Sequence, residues 1–167
     1  MKVFFCLKFN AMNENIELFW KNFITDNTRY VNEKIPESFY FCDNEKDANY
    51  CAKLVVKNIK QATAPSLWSF KINNEKLPRQ GDLNIIIDWN KIPQAIILTT
   101  KIELIKFNEI TAKFAQKEGE GDKSLAYWRK VHKAYYKREM QGYKEGFSED
   151  MIIVCQYFDT IYTLKNN

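Results

Sequence analysis

The chain has 167 residues, 46% of them apolar and 15% aromatic, which supports one domain with its own core and excludes a disordered chain. Twenty-five Lys and Arg against 21 Asp and Glu give a net charge of +4, which permits an anionic partner without demanding one. No apolar run approaches the ~18 residues of a membrane span, the opening "MKVFFCLKF" lacks the length and flanks of a signal peptide, and Cys6, Cys42, Cys51 and Cys155 contain no CxxC pair, so a cytoplasmic protein with reduced thiols is expected, not a membrane protein, secreted disulfide scaffold or zinc ribbon.

Residues 13–24 place Ile16, Phe19, Trp20 and Phe23 at the i, i+3, i+4, i+7 spacing of an amphipathic helix, with Asn13 as its N-cap. A loop over 26–38, rich in Asn, Glu and Pro, separates this N-terminal helical appendage, 1–35, from the main body, 36–167. Asp43 or Asn44 caps a second helix whose stripe is Ala48, Cys51, Ala52, Val55 and Ile59. The helix should end near 58–60. Lys60 then stands where a C-terminal cation is ordinary, and Thr63 where a strand starts. After the punctuation of Pro78 and Gly81, "DLNIIIDW" alternates Leu83, Ile85, Ile87 and Trp89 with Asn84, Ile86 and Asp88, and reads as a strand. "WNKIP" is a turn, and "QAIILTTKIELIKF" carries a second period-two face of Ile96, Leu98, Thr100, Ile102 and Leu104. Residues 108–117 form a short helix starting at Asn108 or Thr111. A long helix runs over about 123–141, and "MIIVCQYFDTIYTL" closes the chain as a strand. Helices interleaved with mostly antiparallel strands and no βαβ rhythm give an α+β fold: a small mixed β-barrel, mostly antiparallel and partly closed, flanked by helices.

Between the last two helices lies "EGEGDKS". The chain has five glycines, and Gly119 and Gly121 are both here, crowded by Glu118, Glu120 and Asp122. Gly119 suits a left-handed helix C-terminus, and Asp122 suits the N-cap of the next helix. Glu118 conflicts with the dipole at the end of its helix, a local inconsistency of the kind functional sites show. On the long helix Arg129, Lys133 and Lys137 recur every four residues with Lys130 beside them, a face suited to a phosphate backbone or simply to solvent. Trp128, Tyr135 and Tyr136 are core or base-stacking surfaces. His132, the only histidine, has no nucleophile beside it in sequence. The Ser124 hydroxyl and the helix start can bind a phosphate, with Arg129 one turn on. Glu120 and Asp122 can hold Mg²⁺ or Mn²⁺ through oxygen, but no HxH or EF-hand spacing accompanies them, so no cofactor is expected.

Taken together, Lys60-x-x-Thr63 after a helix, "LPRQGDLNIII", "FAQKEGEGDKSLAYWRKVH" and "EDMIIVCQYF" resemble the ASCH-domain family over residues 36–164, with 118–132 the most specific part. The family's GxKxxT-like loop is matched by Lys60 and Thr63, with Asn58 in place of the glycine. "FYFCDN" is similar to the aromatic–Gly–Asp stretch of longer members, with Cys42 for glycine. The resemblance implies a PUA-like fold with a cleft beside the KxxT loop, and a partner that is single-stranded RNA, a nucleoside or a nucleotide. Short members hydrolyse N4-acylated cytidine with a Lys, a Thr and a Glu, and longer ones are linked to cleavage of single-stranded RNA. Those three roles fall on Lys60, Thr63 and Glu118. Lys60 would hold an oxyanion or phosphate, Thr63 would be a nucleophile or, lacking an adjacent base, would position a water, and Glu118 would be a general acid or base with its pKa raised by burial; the alternative is an RNA- or nucleotide-binding module without chemistry.

Overall fold

The computed structural model describes residues 14–164, so Asn13 lies outside the described residues. In chain order the elements are α1 (Glu14–Asp26), β1 (Ser38–Phe39), α2 (Glu45–Val56), β2 (Ala62–Thr63), α3 (Leu67–Ile72), β3 (Leu83–Ile87), β4 (Pro93–Lys106), α4 (Ala112–Glu118), α5 (Leu125–Glu139) and β5 (Ile152–Thr163). The expected α+β, mostly antiparallel architecture is present. The five strands form one sheet in the order β1-β3-β4-β5-β2, and only β1 runs parallel to its neighbour. The sheet is not closed into a barrel: the two-residue strands β1 and β2 form its opposite edges. None of the described helices is long and apolar enough to cross a membrane.

Period-two geometry explains the three consecutive isoleucines of β3. Ile85 and Ile87 face the apolar stripe of α1, where Phe19, Trp20 and Phe23 are buried with Tyr40 and Ile96. Ile86 points to the other side, into a cluster with Cys51, Ala52 and Val55 of α2 and with Ala95, Ile97 and Phe158. Both faces of this strand are therefore covered, and the alternation expected from "DLNIIIDW" is not one of apolar against polar. The segment expected as an appendage contributes a helix to one of these two cores.

The long face expected along β4 is broken. Register shifts at Ile96/Ile97 and at Thr99/Lys101 re-aim the strand. Thr99 turns inward to accept a hydrogen bond from Gln156 Nε2 (2.9 Å), and Leu104 is left 52% exposed. A third core beneath α4 and α5 holds Phe107, Phe114, Trp128, Tyr136, Ile153 and Cys155. α3 has no hydrophobic stripe long enough to announce it. It starts because the Ser66 hydroxyl accepts from the Ser69 N–H (3.0 Å).

Candidate functional site

Lys60 is aimed inward by the way α2 ends. Asn58 takes the left-handed conformation (φ +55°). Its N–H donates to the Val55 carbonyl, and the Ile59 N–H donates to the Leu54 carbonyl, which is a Schellman closure with asparagine in the usual glycine place. The loop is then tied to the end of α4, because the Gln61 N–H donates to the Lys117 carbonyl (2.8 Å). Lys60 is not an ordinary solvated C-terminal cation; it is 1% exposed.

The two glycines bring the acids to it. Gly119 (φ +73°) lies so close to the loop that a Cβ there would sit 2.4 Å from the Ile59 carbonyl oxygen. At Gly121 a Cβ would strike the Tyr127 ring. With both side chains absent, Glu118 and Glu120 converge on Lys60: Nζ lies 3.0 Å from Glu118 Oε1 and 2.5 Å from Glu120 Oε1. Asp122 takes no part. Its carboxylate accepts from the Ser124 N–H (2.8 Å), and the N-cap of α5 is Ser124, whose hydroxyl accepts from the Tyr127 N–H (3.0 Å). The cap expected at Asp122 therefore falls two residues later, because the turn allowed by Gly121 has to be completed before the helix begins.

Glu118 is buried among donors. Its Oε1 receives Lys60, and its Oε2 receives the indole N–H of Trp128 and stands 3.2 Å from His132 Nε2. His132 Nδ1 donates to the Trp128 carbonyl (3.0 Å), and the imidazole stacks on the indole at 4.2 Å. With one ring nitrogen donating to a carbonyl and the other facing a carboxylate, the geometry favours the imidazolium form. Burial works to raise the Glu118 carboxyl, but Lys60 and then His132 outweigh it and hold it at about 2. Burial works to lower His132, and the Glu118 carboxylate outweighs it, so the imidazole lies above its ordinary value. Burial opposes the charge on Lys60 as well, and Glu118 followed by Glu120 lifts it well above its ordinary value. The expected raised pKa of Glu118 is thus reversed. The group is a fixed anion between two cations, and His132 is a counter-ion to it rather than a free base.

Lys60, Thr63, Glu118, Glu120 and His132 line one cavity of about 910 Å³. Thr63 reaches it because β2 alternates, with Ala62 in the core and Thr63 on the cavity side. The rest of the wall includes Phe39, Phe41, Cys42, Cys51, Tyr127, Tyr135, Arg138 and Gln156. Other site residues expected from the sequence are elsewhere. Ser124, Arg129, Lys133 and Lys137 do not line the cavity. Arg129 bonds the Asn108 carbonyl (3.1 Å), Lys133 pairs with Glu149 (2.6 Å), and Lys130 and Lys137 are solvent-exposed. Trp128 is 3% exposed, so its faces are core and only its N–H serves the site. Among the described residues no group of three His, Cys, Asp or Glu side chains is arranged to hold a metal ion.

The sequence reading had Tyr135 as core or as a stacking surface, but missed the rest of the α5 face that lines the cavity. Tyr127, Val131, Ala134, Tyr135 and Arg138 recur at helical spacing and form that wall. Arg138 also pairs with Asp43 at the rim (2.9 and 3.2 Å). The signal was present as a second stripe on a helix whose cationic stripe was more conspicuous.

The sequence profile of the ASCH domain matches residues 37–162. The crystal structure of an ASCH domain from Lactobacillus crispatus JV V101 is 33% identical, with a TM-score of 0.84 over 93% of this chain and 99% of that one. A crystal structure of a protein from Enterococcus faecalis V583 is 36% identical, with a TM-score of 0.80 over 89% of this chain and 88% of that one. Comparison with curated proteins gives no match.

Proposed function

The chain belongs to the ASCH domain family, and on that premise we propose that its cleft takes a nucleoside-sized ligand and hydrolyses an acyl group carried on the base. One observation carries the reading. An ammonium, a hydroxyl and a reachable carboxylate, from positions 60, 63 and 120, meet on the wall of a cavity whose ~910 Å³ suits a small ligand. Phe39, Phe41, Tyr127 and Tyr135 supply apolar and aromatic surface for a planar base.

The roles follow from charge state. Lys60, fixed as a cation between two carboxylates, stabilises the oxyanion that develops when water adds to the acyl carbon. Glu118, held as an anion by Lys60, His132 and Trp128, positions the ammonium and stays out of the proton transfers. Glu120, 18% exposed at its side chain, is the carboxylate that meets the ligand. It takes the proton from the attacking water and returns it to the departing amine as the C–N bond breaks. The Thr63 hydroxyl has no hydrogen-bond partner among the described residues and orients the water. A polyanion fits less well. On the wall the acids, among them Glu37, Asp43, Asp47, Asp82 and Glu120, outnumber the cations Lys60, Lys76, His132 and Arg138, and the stripe of Arg129, Lys133 and Lys137 is outside it.

The test is an assay of N4-acylated cytidines beside short single-stranded RNA, with wild type and Thr63→Val compared. Valine keeps the shape of the side chain and disturbs none of the ion pairs, so the variant should melt as wild type does and lose about 100-fold or more in kcat. Cleavage of RNA with the acyl nucleosides untouched, or full turnover by Thr63→Val, would replace this reading.

A further inference from the structure

The cleft wall holds a second chemical pair that the ion cluster does not use. Cys42 stands between β1 and α2 at φ +65°, a left-handed conformation costly for a residue with a side chain. Its Sγ lies 3.7 Å from Sγ of Cys51, on the second turn of α2. Both line the cavity; Cys42 is partly exposed and Cys51 is buried. The third described thiol, Cys155, is in the separate core beneath α4 and α5.

We propose that Cys42 and Cys51 are a reversible dithiol–disulfide pair, oxidised in place by a peroxide. The sulfurs, already in contact at 3.7 Å, close to a bond of about 2.05 Å by rotation of the two side chains and a shift of the loop that carries Cys42. Cys42, the accessible partner, reacts first. It loses its proton, its sulfur attacks the peroxide O–O bond, and the products are a sulfenic acid and one water. The Cys51 sulfur then attacks the sulfenic sulfur. The S–S bond forms, and the hydroxyl leaves with the Cys51 proton as a second water. Two thiols lose two electrons and one hydrogen peroxide gains them. Contact with Cys42, followed by burial, raises the Cys51 pKa, so Cys51 is not the sulfur that meets the peroxide first; it reacts only with the sulfenic acid formed in contact with it.

The pair is next to the ammonium. The ring of Phe41, the neighbour of Cys42 in the chain, lies 5.0 Å from Lys60 Nζ. Disulfide formation pulls on the backbone that carries this ring, so oxidation also changes turnover in the cleft; that consequence alone rests on the hydrolase reading.

The experiment is peroxide treatment of the fully reduced chain, followed by alkylation, intact mass measurement and peptide mapping. Two of the four thiols should become unreactive to alkylation, a Cys42–Cys51 linked peptide should appear, and dithiothreitol should restore all four. Cys42→Ser and Cys51→Ser should each fail to give an internal disulfide. The mapping of wild type decides the matter even if a variant misfolds. Four reactive thiols after a peroxide dose that oxidises a free dithiol, or linkage through Cys6 or Cys155, would overturn the pair. A mapped Cys42–Cys51 bond in a chain that hydrolyses no acyl nucleoside when fully reduced would sustain the pair and remove the hydrolase reading.

Discussion

Glu118 and Glu139 are both buried carboxylates, and their surroundings send them in opposite directions. Glu118 has two cations and an indole N–H and stays ionised with a pKa of about 2. Glu139 is 9% exposed, its hydrogen-bond partners are the hydroxyls of Ser66 (2.7 Å) and Tyr135 (3.4 Å), and the one charged group acting on it, the Asp43 carboxylate, also disfavours its ionisation. Burial therefore dominates and pushes it from an ordinary 4.5 up to about 7. A carboxyl whose folded pKa is raised gives stability that is fully present below its unfolded value and is lost as pH rises through the folded one. For Glu139 that window runs from about pH 4.5 to about 7 and is worth about 3 kcal/mol. His132 has the same sign: raised by Glu118, it loses its contribution as pH rises above its ordinary range. Wild type should thus be less stable at pH 8 than at pH 5. Glu139→Gln keeps an acceptor for Ser66 and removes the titration. Urea midpoints at the two pH values should show a shallower decline for the variant and a more stable variant at pH 8. An unchanged slope would mean that Glu139 is ionised across the range. The sequence made Lys60, Thr63 and Glu118 visible as a motif, but it did not disclose these charge states, because each is set by partners distant in the chain, 58 residues for Glu118 with Lys60 and 73 for Glu139 with Ser66.

At the scale of elements, the loop after α2 and the end of α4 are one device. Asn58 and Gly119 are both left-handed, and each closes a helix so that its next residues face the cleft. This much was readable, since asparagine and glycine after an apolar helical stripe have few other uses. What the sequence hid was their approach. Gly119 is glycine for space as well as for its φ, because the Ile59 carbonyl occupies the place of a Cβ. Gly81 separates the two causes: it has φ +94° and nothing within 4 Å of a Cβ. Gly81→Ala should lower stability by about 1 kcal/mol, the cost of the left-handed backbone alone. Gly119→Ala should cost more, above about 2 kcal/mol, because the loop and α4 have to separate. Denaturant titration of both variants checks this, and equal costs would mean that the 118–120 turn yields without resistance. Two further features were illegible for related reasons. The bulge at Thr99/Lys101 inverts a period-two pattern without leaving a glycine or proline to mark it. α3 has six residues, too few to display a helical period.

Across the whole molecule, the small net positive charge conceals a segregation along α5. One face presents Tyr127, Val131, Tyr135 and Arg138 to the cleft, and another presents Arg129, Lys130, Lys133 and Lys137 to solvent or to exposed partners. The sequence displayed both stripes, and which one met the cavity was decided by Trp128 and Tyr136, whose burial in the core beneath α5 fixes the rotation of the helix. Binding of a polyanion and chemistry in the cleft are therefore separable. Arg129, Lys133 and Lys137 replaced together by Ala should leave kcat/KM for an uncharged acylated nucleoside within about 2-fold of wild type, since none of the three lines the cavity. The same variant should bind single-stranded RNA more weakly and with a flatter dependence of log K on log salt. Removing three cations that each neutralise a phosphate of a single strand flattens that slope by at most about 2. The change should be smaller here, because Lys133 is already paired with Glu149. Thr63→Val should do the reverse, stopping turnover and leaving the salt dependence as it was. If the triple variant keeps its fold and loses hydrolysis, the outer face of α5 is on the substrate path. A ligand long enough to span both faces would then have to take the place of the single nucleoside.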